Sequence, residues 1–93
     1  DFDYIGMVKF GMELQIPEDL SQLVAPEYIK MLKDVYESFT DVNYHTEAAD
    51  LGNALEWMED PGQDANLAQE KIEGFLESFR AACAKTLKDI TRR

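Results

Sequence analysis

The first sixteen residues alternate between apolar and polar positions, which is the pattern of a half-buried strand. From Tyr4 to Ile16 the even positions are apolar or aromatic apart from one glycine, and the later odd positions hold Lys9, Gly11, Glu13 and Gln15. A helix is the competing interpretation, but a glycine inside a helix costs about 1 kcal/mol, and Ile16 precedes a proline, which favours extended backbone. We therefore predict an extended arm or strand over residues 1–16. Such a strand must form a hairpin or pair with a second copy or a partner.

Helical spacing begins after this segment. Pro17 and Pro26 are each followed by an acidic residue, as in the first turn of a helix. The first proline predicts a short helix that runs to about Val24. The second predicts a strongly amphipathic helix that ends between Ser38 and Asp41, because apolar side chains recur at spacings of three and four: Tyr28, Ile29, Leu32, Val35, Tyr36 and Phe39.

Two further helices are predicted in the second half of the chain. One runs from Val42 or Thr46 to Glu59 and is stopped by the turn sequence 60–62. The other is the longest, from Ala65 to Arg92, and its N-terminus can be capped by Asp64 or by an Asn66–Gln69 capping box. It would span about 40 Å at 1.5 Å per residue. We expect its C-terminal third to overhang and to need covering by a second copy or a partner.

These elements predict an all-α fold for a single domain of 93 residues. The expected architecture is a small bundle of three or four helices over residues 17–93, with the extended arm of residues 1–16 packed across it or donated to a neighbour. An α+β fold is the second choice, because the arm would then be part of a sheet.

The sequence has no recognisable targeting signal and a single cysteine, which together indicate a cytoplasmic protein. Cys83 is the only cysteine, and it lies among alanines, where a buried, unreactive thiol is expected. No uncharged apolar run approaches the roughly 18 residues of a membrane span. The N-terminal residues lack the basic start of a signal peptide. We therefore expect a reducing compartment and no membrane partner.

Charge is sorted along the chain. The net charge is −10, and residues 34–79 alone carry twelve acids and one base, whereas residues 80–93 carry one acid and five bases. An acidic protein repels phosphate backbones, so direct nucleic-acid binding is not expected. The basic end suits the C-terminus of a helix. The acidic middle is either an ordinary solvated surface or a negative face that attracts a basic protein or mimics an array of phosphates.

The chain lacks the residues that most catalytic mechanisms and metal sites require. His45 is the only histidine, and no nearby signature pairs it with a serine, threonine or cysteine nucleophile, so a surface or helix-start role is expected. Zinc and helical di-iron sites need more nitrogen or sulfur ligands than the chain offers. Residues 60–71 fail as a calcium loop, because Ala65 and Lys71 replace the required glycine and glutamate. No cofactor or metal is predicted.

One enzymatic alternative stays open. Asp34 and Glu37, followed by Glu47 and Asp50, form two carboxylate pairs with a spacing of three, so each pair lies on one helix face. Over about 17 residues this resembles the acidic motif of the all-α MazG-like nucleotide pyrophosphohydrolases. The resemblance implies magnesium-dependent hydrolysis of nucleotides. The pattern differs in its aspartate at 34, its shorter gap and its missing phosphate-binding cation, and two further acidic pairs share the same spacing.

The hypothesis favoured by the sequence is a non-enzymatic binding module of inhibitor, immunity, chaperone or regulatory-adaptor type. It would engage the basic surface of a partner protein, with aromatic residues as anchors within the acidic segment. The alternatives are the magnesium-dependent hydrolase and a self-associating scaffold, for which a homodimer is expected. The predicted partner-binding residues are Asp41, Tyr44, Glu47, Asp50, Glu56, Trp57, Glu59 and Asp60.

Overall fold

Residues 4–12 form a helix, so the extended arm predicted for residues 1–16 is wrong over this stretch, and its first three residues lie outside the described part of the chain. A computed structural model of the chain describes residues 4–41 and 45–91, and its first helix, α1, covers Tyr4–Met12. Met7, Val8 and Gly11 are buried, at the spacing of one helix face. Apolar residues lie around most of the circumference of α1, so its sequence fits the periodicity of a helix and that of a strand almost equally well.

Gly11 explains why glycine in α1 is tolerated. A Cβ atom at this position would lie 2.3 Å from Sγ of Cys83 and 3.0 Å from Cζ of Phe79. The glycine therefore allows α1 to approach the last helix more closely than any other residue would. The helix-propensity cost of about 1 kcal/mol is offset by packing that the local sequence does not reveal.

The described residues contain helices only, which confirms the all-α prediction. Four helices follow α1, which is the largest number predicted after the arm: α2 (Leu20–Leu23), α3 (Pro26–Asp41), α4 (His45–Glu59) and α5 (Ala65–Thr91). With α1, the described residues hold five. The start of α3 at its proline and the ends of α3 and α4 agree with the sequence. The short helix does not begin at Pro17, because Asp19 is its N-terminal flanking residue.

Side-chain hydrogen bonds fix the start of α5 and the loop before α2. Oδ1 of Asp64 accepts a hydrogen bond from the N–H of Leu67 at 3.0 Å, which is the N-cap interaction predicted for this aspartate. The alternative Asn66–Gln69 capping box is wrong. Nε2 of Gln69 instead donates to the carbonyl of Glu18 at 2.6 Å and so ties α5 to the segment that leads into α2.

The core is organised around α5. This helix packs against α1, α2 and α4, and α3 packs against α4. The rings of Phe39 and Phe79 meet edge to face with centroids 5.5 Å apart, so α3 also reaches α5. The fully buried core side chains come from all five helices, with principal members Val8, Leu23, Leu32, Phe39, Leu51, Ile72, Leu76, Phe79 and Cys83.

The predicted overhang of the C-terminal third of α5 is wrong as far as Leu87, because the chain covers the helix up to this residue. Helix α1 covers its Cys83 face, and Oγ1 of Thr86 donates a hydrogen bond to the carboxylate of Glu47 in α4. Leu87 also packs against the core. Among the described residues, the only large hydrophobic side chains that are exposed are Ile5 and Leu67. The apolar stripe that was expected to need a partner is therefore covered by the chain itself from Cys83 to Leu87.

Candidate protein-binding groove

A groove of about 620 Å³ runs between α3 and α4. It is open to solvent along its length, and every residue that lines it belongs to one of these two helices. Helix α3 contributes Lys33, Tyr36 and Glu37, and α4 contributes Ala48, Ala49, Gly52, Asn53, Leu55, Glu56 and Glu59.

Gly52 sets the contact between the two helices at the middle of the groove. A Cβ atom here would lie 3.0 Å from Cε1 and 3.7 Å from the hydroxyl oxygen of Tyr36. The tyrosine ring therefore lies directly against the backbone of α4, and it is half-buried there. A glycine weakens a helix by its low intrinsic propensity, and Gly52 offsets this cost by making room for the aromatic side chain of Tyr36.

Carboxylates outnumber cations along the groove. Nζ of Lys33 lies 2.7 Å from Oε1 of Glu59, and both side chains are about half exposed. Glu37 and Glu56 are exposed, and neither has an ion-pair partner within residues 4–41 and 45–91. The single lysine of the groove is thus already paired, and two carboxylates face solvent without a counterion from the described chain.

Three of the predicted partner-binding residues gather at the C-terminal end of α4. Glu56, Trp57 and Asp60 line a shallow depression of about 310 Å³ beside the groove, and Glu56 belongs to both surfaces. Trp57 is half-buried and packs against the core. Glu59 lines the groove itself. The four residues therefore form one continuous surface across the outer side of α4.

Glu47 lies inside the protein. Its side chain is 3% exposed, and its carboxylate accepts the hydrogen bond from Thr86. It stands in the first turn of α4, where the helix dipole favours a negative charge. A partner cannot reach it there, so the structure separates Glu47 from the other predicted binding residues.

Asp50 lies one turn beyond Glu47 and is half-buried. Burial, and secondly the charge of Glu47, raise the pKa of its carboxyl above the usual value. The same two causes raise the pKa of the Cys83 thiol to about 12. Glu47 therefore influences a small cluster at the α4–α5 contact, on a different side of α4 from the groove residues.

The other predicted residues have separate positions. Asp41 is exposed at the last residue of α3, and Tyr44 lies outside the described residues. Asp34 and Glu37 of the nucleotide-hydrolase motif are exposed on α3, whereas Glu47 is interior. Within the described part of the chain, no three His, Cys, Asp or Glu side chains gather where they could hold a metal ion. The hydrolase alternative stays a prediction.

Lys33 and Tyr36 were missed by the sequence analysis. They recur with Glu37 at spacings of three and four on α3, and Gly52, Glu56 and Glu59 do so on α4. The sequence assigned Tyr36 to the core stripe and gave no reason to place Lys33 at a site. A glycine in the middle of an amphipathic helix was the one available signal that another side chain approaches closely.

Comparisons with protein-family models, with curated proteins and with solved structures find no match for this chain. None of the described helices combines the length and the apolar character needed to cross a membrane.

Proposed function

We propose that this protein is a non-enzymatic binding module that engages the basic surface of a partner protein through the outer side of α3 and α4. The observation that carries the proposal is the charge of the groove: Glu37, Glu56 and Glu59 stand against Lys33 alone, and that lysine is paired. Opposite charges across an interface speed association and disfavour partners of the same sign. An inhibitor, immunity protein, chaperone or regulatory adaptor would work in this way.

The acidic depression beside the groove extends the proposed surface. Trp57 is a half-buried aromatic residue between Glu56 and Asp60, and partly buried tryptophans in such surroundings are frequent binding hot spots. In this proposal the carboxylates steer the approach of the partner, and Trp57 slows its departure. The single free thiol is compatible with a cytoplasmic partner in a reducing compartment.

The test compares two variants with the same loss of charge. Glu37→Gln/Glu56→Gln removes the unpaired carboxylates of the groove, and Glu70→Gln/Glu73→Gln removes two from α5, outside the groove. Each protein is immobilised and exposed at low salt to a lysate of the source organism, and the retained proteins are identified by mass spectrometry. We expect a basic protein that wild type and the α5 variant retain and that the groove variant loses.

The association rate of that protein supplies a second measurement. Surface charges are screened over about 8 Å at physiological ionic strength, so steering weakens as salt is added. We expect the rate to fall at least about tenfold between low and high salt for wild type, and to fall less for the groove variant. A rate that does not change with salt, or equal retention by both variants, contradicts the proposal.

A further inference from the structure

The floor of the α3–α4 groove is apolar and shallow. Ala48 and Leu55 are buried beneath it, and Gly52 presents no side chain at all. These short or buried groups leave a channel beside the ring of Tyr36. A long, unbranched stem of methylene groups can lie along such a floor, in the way that lysine and arginine stems cover apolar surface.

The rim of the same groove carries an acidic side chain on each side. Glu37 extends from α3 and Glu56 from α4, both exposed, and neither has an ion pair within the described ranges. A cation seated between them would meet a carboxylate from each helix. Carboxylates that pair with a planar guanidinium gain two parallel hydrogen bonds, which an ammonium group cannot match.

The ring of Tyr36 adds an aromatic surface between floor and rim. It lines the groove and is half-buried against Gly52. Its hydroxyl has no hydrogen-bond partner among the residues that the structure describes. The ring quadrupole attracts a cation placed over its face, and guanidinium groups stack on such rings more often than ammonium groups do.

We propose that the groove seats an arginine side chain of the basic partner, with its stem on the apolar floor, its guanidinium against Tyr36 and its charge shared by Glu37 and Glu56. The inference rests on the proposed function and specifies the partner residue that this function leaves open. Arginine is chosen over lysine because the groove combines an aromatic ring with carboxylates from two helices. A guanidinium group can stack on the ring and form paired hydrogen bonds with carboxylates, whereas for an ammonium group the main attraction is the negative charge.

The test uses two synthetic helical peptides as probes. They are identical except that one carries three arginines at spacings of four and three on one face, and the other carries three lysines there. Binding to the full chain is measured at low salt by fluorescence anisotropy of a label on the peptide. We expect the arginine peptide to bind about threefold more tightly than the lysine peptide.

Two substitutions of Tyr36 separate the ring from its hydroxyl. Tyr36→Leu is expected to abolish the preference for arginine, because it weakens the arginine peptide more than the lysine peptide, whereas Tyr36→Phe keeps the preference. Glu37→Gln/Glu56→Gln weakens both peptides, and Glu70→Gln/Glu73→Gln leaves both at wild-type affinity. Circular dichroism establishes that each variant is folded, and Tyr36→Met, which also lacks the ring, is measured instead if the leucine variant is not.

The outcomes distinguish this inference from the function on which it rests. Equal binding of both peptides, lost only in the groove double variant, overturns the arginine site and leaves an acidic binding surface in place. Arginine preference that survives Tyr36→Leu also overturns it. If neither peptide binds wild type, or if the α5 variant weakens binding as much as the groove variant, both proposals fail.

Discussion

The effect of a single residue on the stability of this fold depends on the atoms that face it, and two helical glycines show the contrast. A Cβ atom at Gly11 would clash with Cys83 and press on Phe79, whereas one at Gly74 would meet nothing within 4 Å. Alanine is intrinsically the better helix former by about 1 kcal/mol at either position. The two positions should therefore respond to the same substitution with opposite sign.

We predict that Gly11→Ala lowers the free energy of unfolding by about 1–3 kcal/mol, because overpacking outweighs the gain in helix propensity. Gly74→Ala should raise the same quantity by about 0.5–1 kcal/mol, since the exposed position gains propensity alone. Urea unfolding followed by circular dichroism measures both. A stabilised Gly11→Ala would show that α1 does not approach α5 as closely as described.

At the scale of elements, one polar contact joins α4 to α5. Thr86 donates its hydroxyl hydrogen bond to the buried carboxylate of Glu47, within the cluster that also contains Asp50 and the thiol of Cys83. A buried acceptor that loses its donor retains the cost of leaving water. The contact therefore matters more to the pairing of these helices than an exposed hydrogen bond would.

Thr86→Val is predicted to destabilise the protein by about 1–3 kcal/mol, because valine fills the space of threonine but provides no hydroxyl donor. Thr86→Ser retains the hydroxyl and should keep most of that stability. Thermal unfolding of the two variants side by side makes the comparison. Equal losses would mean that the methyl group, rather than the hydrogen bond, supports the contact.

The same scale explains which parts of the fold are readable in the sequence. Helices α3, α4 and α5 are bounded by local signals, such as Pro26 at the start of α3 and the turn sequence at 60–62. Helix α1 is not, because the benefit of Gly11 lies in a residue 72 positions away, Cys83. Without that contact the glycine carries only its local cost, and the strand pattern prevails.

The candidate site likewise contains some residues that the sequence predicts and others that depend on tertiary packing. Glu56, Trp57, Glu59 and Asp60 could be predicted as candidates, because they are nearly consecutive within the acidic segment. Lys33 and Tyr36 come from the preceding helix, and which face of α3 meets α4 depends on tertiary packing. The sequence also placed Glu47 at the surface, since nothing local shows that an acid in the first turn of α4 will point toward Thr86.

For the molecule as a whole, two weakly acidic side chains, one buried and one half-buried, link stability to alkaline pH. Burial raises the pKa of the Cys83 thiol from 9.0 to about 12, with a smaller contribution from Glu47. Burial likewise raises the pKa of Tyr28 from 10.0 to about 12, against the opposing charge of Arg80, and its hydroxyl donates to the carbonyl of Gln15 at 2.7 Å. Both groups hold their protons more firmly in the folded chain than in the unfolded one.

The free energy of unfolding should therefore be constant with respect to these groups below about pH 9 and fall as the pH rises toward 12. In that interval the unfolded chain releases protons that the folded chain keeps, which favours unfolding. Urea unfolding at a series of pH values measures the decline. Cys83→Ala lacks one of the two groups, so its stability should fall less steeply, and an identical slope would assign the effect elsewhere.

Because α1 packs closely over Cys83 at Gly11, the reactivity of the thiol reports how often α1 separates from α5. The sulfur is inaccessible while α1 rests on α5, so a thiol-directed dye can react only during moments when the two helices separate. The labelling rate in native buffer would count those separations without unfolding the rest of the chain. If it greatly exceeds the rate expected from global unfolding, α1 detaches on its own while the remaining helices stay assembled.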